Sequence, residues 1–270
     1  MSSVTVPPRH GVYRSRPRRG IVSGIVGVIG ELLITAGVLL GLFVVWQLWW
    51  TDVQAGREHA QILASLEWPD PGPEVPPGDD ENSGPAVATR REGKPPVMEE
   101  PTDTTVFAEL YVPRFGKNYV SPIAQGVDKA TVLDRLGIGH YPGTAMPGEL
   151  GNFATAGHRT TYGKPYHEVA DLKEGDPLVV RTEDTWYVYR VTDWEIVWPW
   201  QVEVISAVPG VKPGETLPKL TERYMTMTAC HPMYSAAQRY IVHGVLDYWA
   251  PVSEGVPAEL VDAGVKVGRD

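Results

Sequence analysis

The chain has 270 residues, 43% of them apolar, which suffices for one mid-sized domain with its own core plus appendages. Its formal net charge is −9, which excludes non-specific nucleic-acid binding, since that rests on Lys and Arg neutralising phosphates. A single cysteine, Cys230, excludes an intramolecular disulfide and a zinc site built on several thiolates.

In chain order, residues 1–20 carry Arg9, Arg14, Arg16, Arg18 and Arg19 and no acid. An apolar run follows from Ile21 to Trp50, interrupted by Glu31 and Gln47. Crossing the bilayer core takes about 20 apolar residues, and Leu32 to Trp50 nearly suffices alone. Glu31 then falls at the inner edge, away from mid-membrane where a carboxylate is costly. Trp46, Trp49 and Trp50 suit the opposite interface. The arginines orient the N-terminus to the cytoplasm, giving a single-pass anchor in the cell membrane and an extracytoplasmic remainder. A cleaved signal peptide is the competing reading, but the run is long for one and no clear A-x-A site follows.

Asp52 to Leu66 reads as a polar helix, an extension of the anchor. From Trp68 to Pro101 prolines, glycines and acids crowd together ("WPDPGPEVPPGDDENSGP"), the composition of a flexible spacer without calcium-loop ligand spacing. The expected organisation is therefore a basic tail over 1–20, an anchor over 21–50, helix and spacer over 51–103, a catalytic domain over 104–250 and a tail over 251–270. Within the domain, "VFAELYVPRF" and "NYVSPIA" read as short strands, and Asp128 to Leu136 as a helix N-capped by Asp128 and ended by Gly137. "NFATAGH" reads as a buried strand, and "DPLVVRTEDTWYVYRVTDWEIV" as two strands about a turn at Thr182 to Asp184. "RYMTMTAC" and "RYIVHGVLDYW" add two more. Many short strands with Gly/Pro turns and few helices predict an all-β, closed antiparallel barrel.

Cys230 closes one strand run and Arg239 opens the next. If the two strands pair antiparallel, thiol and guanidinium share one rim. A thiolate is a far better nucleophile than water, a neighbouring cation favours it, and an arginine cannot serve as base because it stays protonated. The proton-transfer group must titrate near neutrality, which points to a histidine. Position alone leaves the choice open. His158 ends "NFATAGH" after Gly157, His140 lies in the loop "GIGHYPGT" where it can shape the site, and His231 adjoins the cysteine but alternates to the other face. Blander readings also stand: Arg239 as a surface arginine, His158 as a satisfied core histidine, Cys230 as filler. A metal site from Cys230, His231 and His140 lacks any HxxxH or CxxC spacing.

Three segments carry a resemblance: "GHYPGTAMPGELGNFATAGHR", "TMTAC" and "CHPMYSAAQRYIVHG". In their order and spacing, the span from Thr104 to Trp249 resembles the sortases, particularly the class E, housekeeping-type enzymes of high-GC Gram-positive bacteria. "TMTAC" is similar to the family's T-L-x-T-C motif. The resemblance implies an eight-stranded sortase β-barrel with short helices, with Cys230 as nucleophile, His158 as proton-transfer residue and Arg239 as electrostatic clamp, and no metal or cofactor. It implies cleavage of a C-terminal sorting signal similar to LPXTG or LAXTG between Thr and Gly, through a thioacyl-enzyme. The partners would be secreted proteins bearing that signal and an acceptor amine on a peptidoglycan precursor, with membrane lipid around the anchor. Candidate substrate-binding residues are Thr228 and Ala229 before the cysteine, His140, and Trp198 and Trp200 at the start of the variable loop that runs roughly from Pro199 to Leu220. Ala229 departs from the family's usual threonine, which bears on oxyanion stabilisation. The alternatives are an L,D-transpeptidase-like enzyme, whose Ser and Gly before the cysteine are missing from "TMTAC", and a catalytically weak sortase-like surface scaffold.

Overall fold

The computed structural model describes residues 21–72 and 85–267. The arginine-rich segment 1–20, the part of the expected spacer over 73–84 and residues 268–270 lie outside the described residues. The chain divides into two compact units between Gln47 and Leu48.

Helix α1 spans Ile21–Ser65. In the first unit its apolar side chains are uncovered on every side: Leu32, Leu33, Ile34, Leu39 and Leu40 are 61–70% exposed. A helix apolar all round needs an apolar surrounding. Among the described residues it is the one helix long and apolar enough to cross a membrane. Beyond Gln47 the character changes. Ala55 and His59 are buried in the second unit, and Asp52 pairs with Lys164 at 2.8 Å. Burial lowers the pKa of His59 from its ordinary value. Gly163 lies so close to the His59 ring that a Cβ there would meet Cε1 at 2.9 Å.

The second unit is a closed barrel of β1 (Val106–Tyr111), β2 (Val120–Gln125), β3 (Ile138–His140), β4 (Gly151–Ala156), β5 (Pro177–Arg181), β6 (Thr185–Val197), β7 (Arg223–His231) and β8 (Gln238–Pro251). The order around the barrel is β1-β2-β3-β4-β7-β8-β6-β5, and β5 closes it by pairing with β1. The eight-stranded closure is the one the resemblance implies. One detail needs correcting: the barrel is mixed, because β2–β3 and β4–β7 are parallel. Antiparallel neighbours accept a tight turn, as β5 and β6 do, whereas parallel neighbours need a crossover. A short π-type helix, Lys129–Leu133, lies between β2 and β3, and the chain passes through β5 and β6 before β7 returns beside β4. Strand alternation reports which face is apolar, not which way a neighbour runs.

Leu110, Ile123, Ile138, Phe153, Leu178, Tyr189, Met225 and Met227 point into the barrel core. A second apolar layer covers part of its outside, joining Trp186, Val188 and Tyr248 to Val252, Val256 and Leu260. The C-terminal segment is therefore not the loose tail its weak pattern suggests. Its helix α2 (Ala258–Asp262) buries Leu260 completely. The end of the expected spacer is pinned too. Ala88 N donates to Val256 O at 2.9 Å, and Arg91 and Trp249 exchange backbone bonds of 2.8 and 3.1 Å. Backbone pairing of this kind leaves no mark in composition.

Candidate active site

Cys230, near the end of β7, sits directly opposite Arg239, near the start of β8. Directly opposed residues present side chains on the same face, with Cβ atoms roughly 4.5–5.5 Å apart. Pro232 follows β7, and the chain turns back into β8 at Gln238. The face is decided by alternation. Met225, Met227 and Ala229 pack in the barrel core, so Thr226, Thr228 and Cys230 project outward. Hydrogen bonds order that outer face. Thr226 Oγ1 donates to Asn152 Oδ1 at 2.8 Å, and Asn152 Nδ2 donates to Val204 O and Ser206 O in the loop between β6 and β7. Arg239 is half-buried, and its Nη1 donates to Ala236 O and Gln238 O, both at 2.9 Å.

His158 reaches the same place from the other side. β4 runs parallel to β7 with Ala156 opposite Thr228, and Gly157 N donates to Thr228 O at 3.1 Å. His158 lies two residues beyond the last paired position of β4. Arg159 Nη1, one residue on, lies 3.5 Å from Cys230 O. Gly157 is required by a close approach: a Cβ there would meet the Tyr166 ring at 2.7 Å.

Two residues that sequence reasoning missed complete the surroundings. Asp134 Oδ1 lies 2.6 Å from His158 Nε2. It follows the short helix Lys129–Leu133, whose start is fixed by Asp128 accepting from Ala130 N and Thr131 N at 3.0 and 2.9 Å. A carboxylate at a helix C-terminus opposes the helix dipole, and that was the one signal for Asp134. Arg159, 7% exposed, holds His231 Nδ1 at 3.0 Å and stacks over Tyr240. Nothing local marks it among the chain's other arginines.

The substrate-binding candidates fare unevenly. Thr228 projects outward, its Oγ1 3.0 Å from Tyr141 Oη. Ala229 does not line this face: its methyl is buried among the core residues, because β7 alternates. His140 is also corrected. It is completely buried, with Nδ1 2.7 Å from Gln125 Oε1, Nε2 2.9 Å from Thr144 Oγ1 and its ring stacked on Phe153. It braces the loop before β4, and burial lowers its pKa. Trp198 and Trp200 are exposed and stack on each other, rings 5.2 Å apart and nearly parallel, where β6 gives way to its loop. Among the described residues no cluster of three or more His, Cys, Asp or Glu side chains could hold a metal ion.

The sortase-domain family profile matches residues 110–247, which include β4, β7, most of β8 and the three side chains Cys230, His158 and Arg239. The chain is 33% identical over 245 residues to sortase SrtE2 of Streptomyces coelicolor, covering 87% of each. The chain belongs to the sortase family. It is also 37% identical over 266 residues to sortase SrtE1 of the same organism, a match spanning 95% of this chain and 66% of that relative's length. Among solved structures, the SrtA sortase from Actinomyces oris superposes with a TM-score of 0.59 at 42% identity, over 66% of this chain and 100% of that one. The likeness to SrtE1 and SrtE2 makes this sortase class E-like. Sortases are cysteine transpeptidases, so this sortase comes from a family of enzymes. The L,D-transpeptidase reading loses its footing with this barrel and this family.

Proposed function

We propose that this sortase is a membrane-anchored transpeptidase that cuts an LPXTG- or LAXTG-type sorting signal between Thr and Gly and joins the protein to a cell-wall amine. The observation that carries the reading is Cys230 opposite Arg239 on β8, with β4 paired to the same strand β7 as far as Thr228 and leading on to His158. Cys230 Sγ attacks the Thr carbonyl, the C–N bond to Gly breaks, and the departing amine takes its proton from His158. The thioacyl-enzyme is then opened by an incoming amine on a peptidoglycan precursor, which gives up a proton to His158. Arg239 stabilises charge developing on the carbonyl oxygen or holds the substrate backbone. Thr228, projecting from the same face of β7 as Cys230, and the exposed, stacked Trp198 and Trp200 are the side chains offered to the peptide. The anchor Ile21 to Trp50 would keep the barrel on the extracytoplasmic side, where secreted proteins pass.

The test uses the purified full chain in detergent micelles, a fluorogenic LAXTG-type peptide and an amine acceptor. Cleavage and transfer are expected, and both vanish in Cys230→Ala. His158→Ala and Arg239→Ala each lose about 10²-fold or more. Turnover by Cys230→Ala at the wild-type rate would remove the nucleophile assignment. A well-folded but inert wild type would favour the surface-scaffold reading.

A further inference from the structure

Asp134 has no place in the Cys–His–Arg set, yet it makes the shortest polar contact of the site. It and His158 are 16% and 15% exposed, and 2.6 Å separate Oδ1 from Nε2. An exposed ion pair contributes little, but this one is largely shielded from solvent. Asp134 N donates to Lys129 O at 2.8 Å, and its Oδ2 accepts from Lys129 Nζ at 3.2 Å. Lys129 Nζ in turn lies 5.6 Å from the centre of the Tyr162 ring. That ring covers the His158 imidazole, 5.2 Å away and tilted by 31°. Tyr162 adopts φ 53°, a left-handed conformation that is unfavourable for a tyrosine. Carboxylate, ammonium and phenol ring thus close a frame around one imidazole.

Building on the transpeptidase reading above, we infer that Asp134 is a positioning residue that fixes the tautomer and orientation of His158, leaving Nδ1 as the nitrogen that carries protons in the reaction. A carboxylate accepts hydrogen bonds and does not donate, so Nε2 must hold its hydrogen toward Asp134. In the neutral ring the lone pair is then on Nδ1. Nδ1 has no hydrogen-bond partner among the described residues, whereas Nε2 is committed. The thiol proton passes to Nδ1 as the S–C bond forms, and from Nδ1 to the departing amine as the C–N bond breaks. The incoming amine returns a proton to Nδ1, which passes it to sulfur as the thioester opens. The cycle closes without a net proton, and Asp134 keeps its charge throughout while it stabilises the transient imidazolium.

The experiment compares the wild-type full chain in detergent micelles with Asp134→Asn and Lys129→Ala, by steady-state kinetics and by NMR of chains labelled with ¹⁵N-histidine. At alkaline pH, where imidazoles are neutral, the wild-type His158 shows the Nε2–H tautomer. Asp134→Asn, whose amide can donate as well as accept, shows a mixture or the other tautomer. Its kcat falls about 10²-fold while KM stays within about twofold. Lys129→Ala, which leaves the carboxylate in place, keeps the tautomer and loses less than about tenfold in kcat. A wild type in the Nδ1–H tautomer overturns the inference even if Asp134→Asn does not fold. So does an Asp134→Asn chain with unchanged kcat or an unchanged tautomer. An inactive wild type that still shows the Nε2–H tautomer would sink the transpeptidase reading and leave the geometry of the pair standing.

Discussion

At the scale of single residues, similar side chains take opposite parts according to what surrounds them. His158 lies at the open end of β4 with one ring nitrogen uncommitted, while His140 is sealed between Phe107 and Phe153 with both nitrogens bonded. This has a consequence for stability. Burial holds the His140 pKa below the ordinary 6.5, against the opposing bond to Ala145 O. The unfolded chain therefore binds a proton at a pH where the folded ring does not. Stability is complete above about pH 6.5 and falls as pH drops below it, levelling off once the folded ring also protonates. His59, likewise buried, acts in the same sense. Tm measured by circular dichroism should fall between about pH 7 and pH 5, and the fall should be shallower in His140→Gln. Equal losses in both chains would show that His140 is not linked to folding.

At the scale of elements, the proposed site draws on three strand ends rather than on any one segment. β7 supplies Cys230, β8 supplies Arg239 and the end of β4 leads to His158, each held by backbone bonds to its neighbour. The outer layer on the far strands is as much part of the fold. Leu260 from α2 is fully buried with Trp186, Tyr248 and Val256. Leu260→Ala should cost about 3 kcal/mol, the scale for truncating a buried leucine, seen as a lower urea midpoint at constant slope. An unchanged midpoint would mean that α2 is dispensable. The rate of peptide transfer below the transition should stay the same, because Leu260 packs with Trp186, Tyr248, Val252 and Val256 and not with Cys230, His158 or Arg239.

At the scale of the whole molecule, an uncovered apolar helix and a barrel that holds its own core occur in one chain. The first is long and apolar enough to cross a membrane, the anchor proposed above; the second packs around its own core. The full chain should therefore stay with membranes through high-salt and alkaline washes, which strip proteins held by charge. A chain beginning at residue 51 should appear in the supernatant. If the full chain washes off, or the shortened one sediments with membrane, the anchor is misassigned.

The sequence by itself determined what is local or ordered along the chain. It showed the apolar span, the Asp128 cap, most strands, the turn at Thr182 to Asp184, and the succession of histidine, cysteine and arginine that marks the family. Each is written within a few residues, where spacing, capping chemistry and the choice of Gly or Pro act directly on the backbone. Only the tertiary structure decided which residues meet. The parallel pairing of β4 with β7, the burial of Ala229 and His140, the docking of residues 252–262 and the bond from Asp134 to His158 all join segments far apart in sequence. A carboxylate 24 residues before a histidine carries no sign of its partner until the barrel closes. Burial and proximity are properties of the closed surface, and the linear pattern records only that a face is apolar, not what comes to cover it.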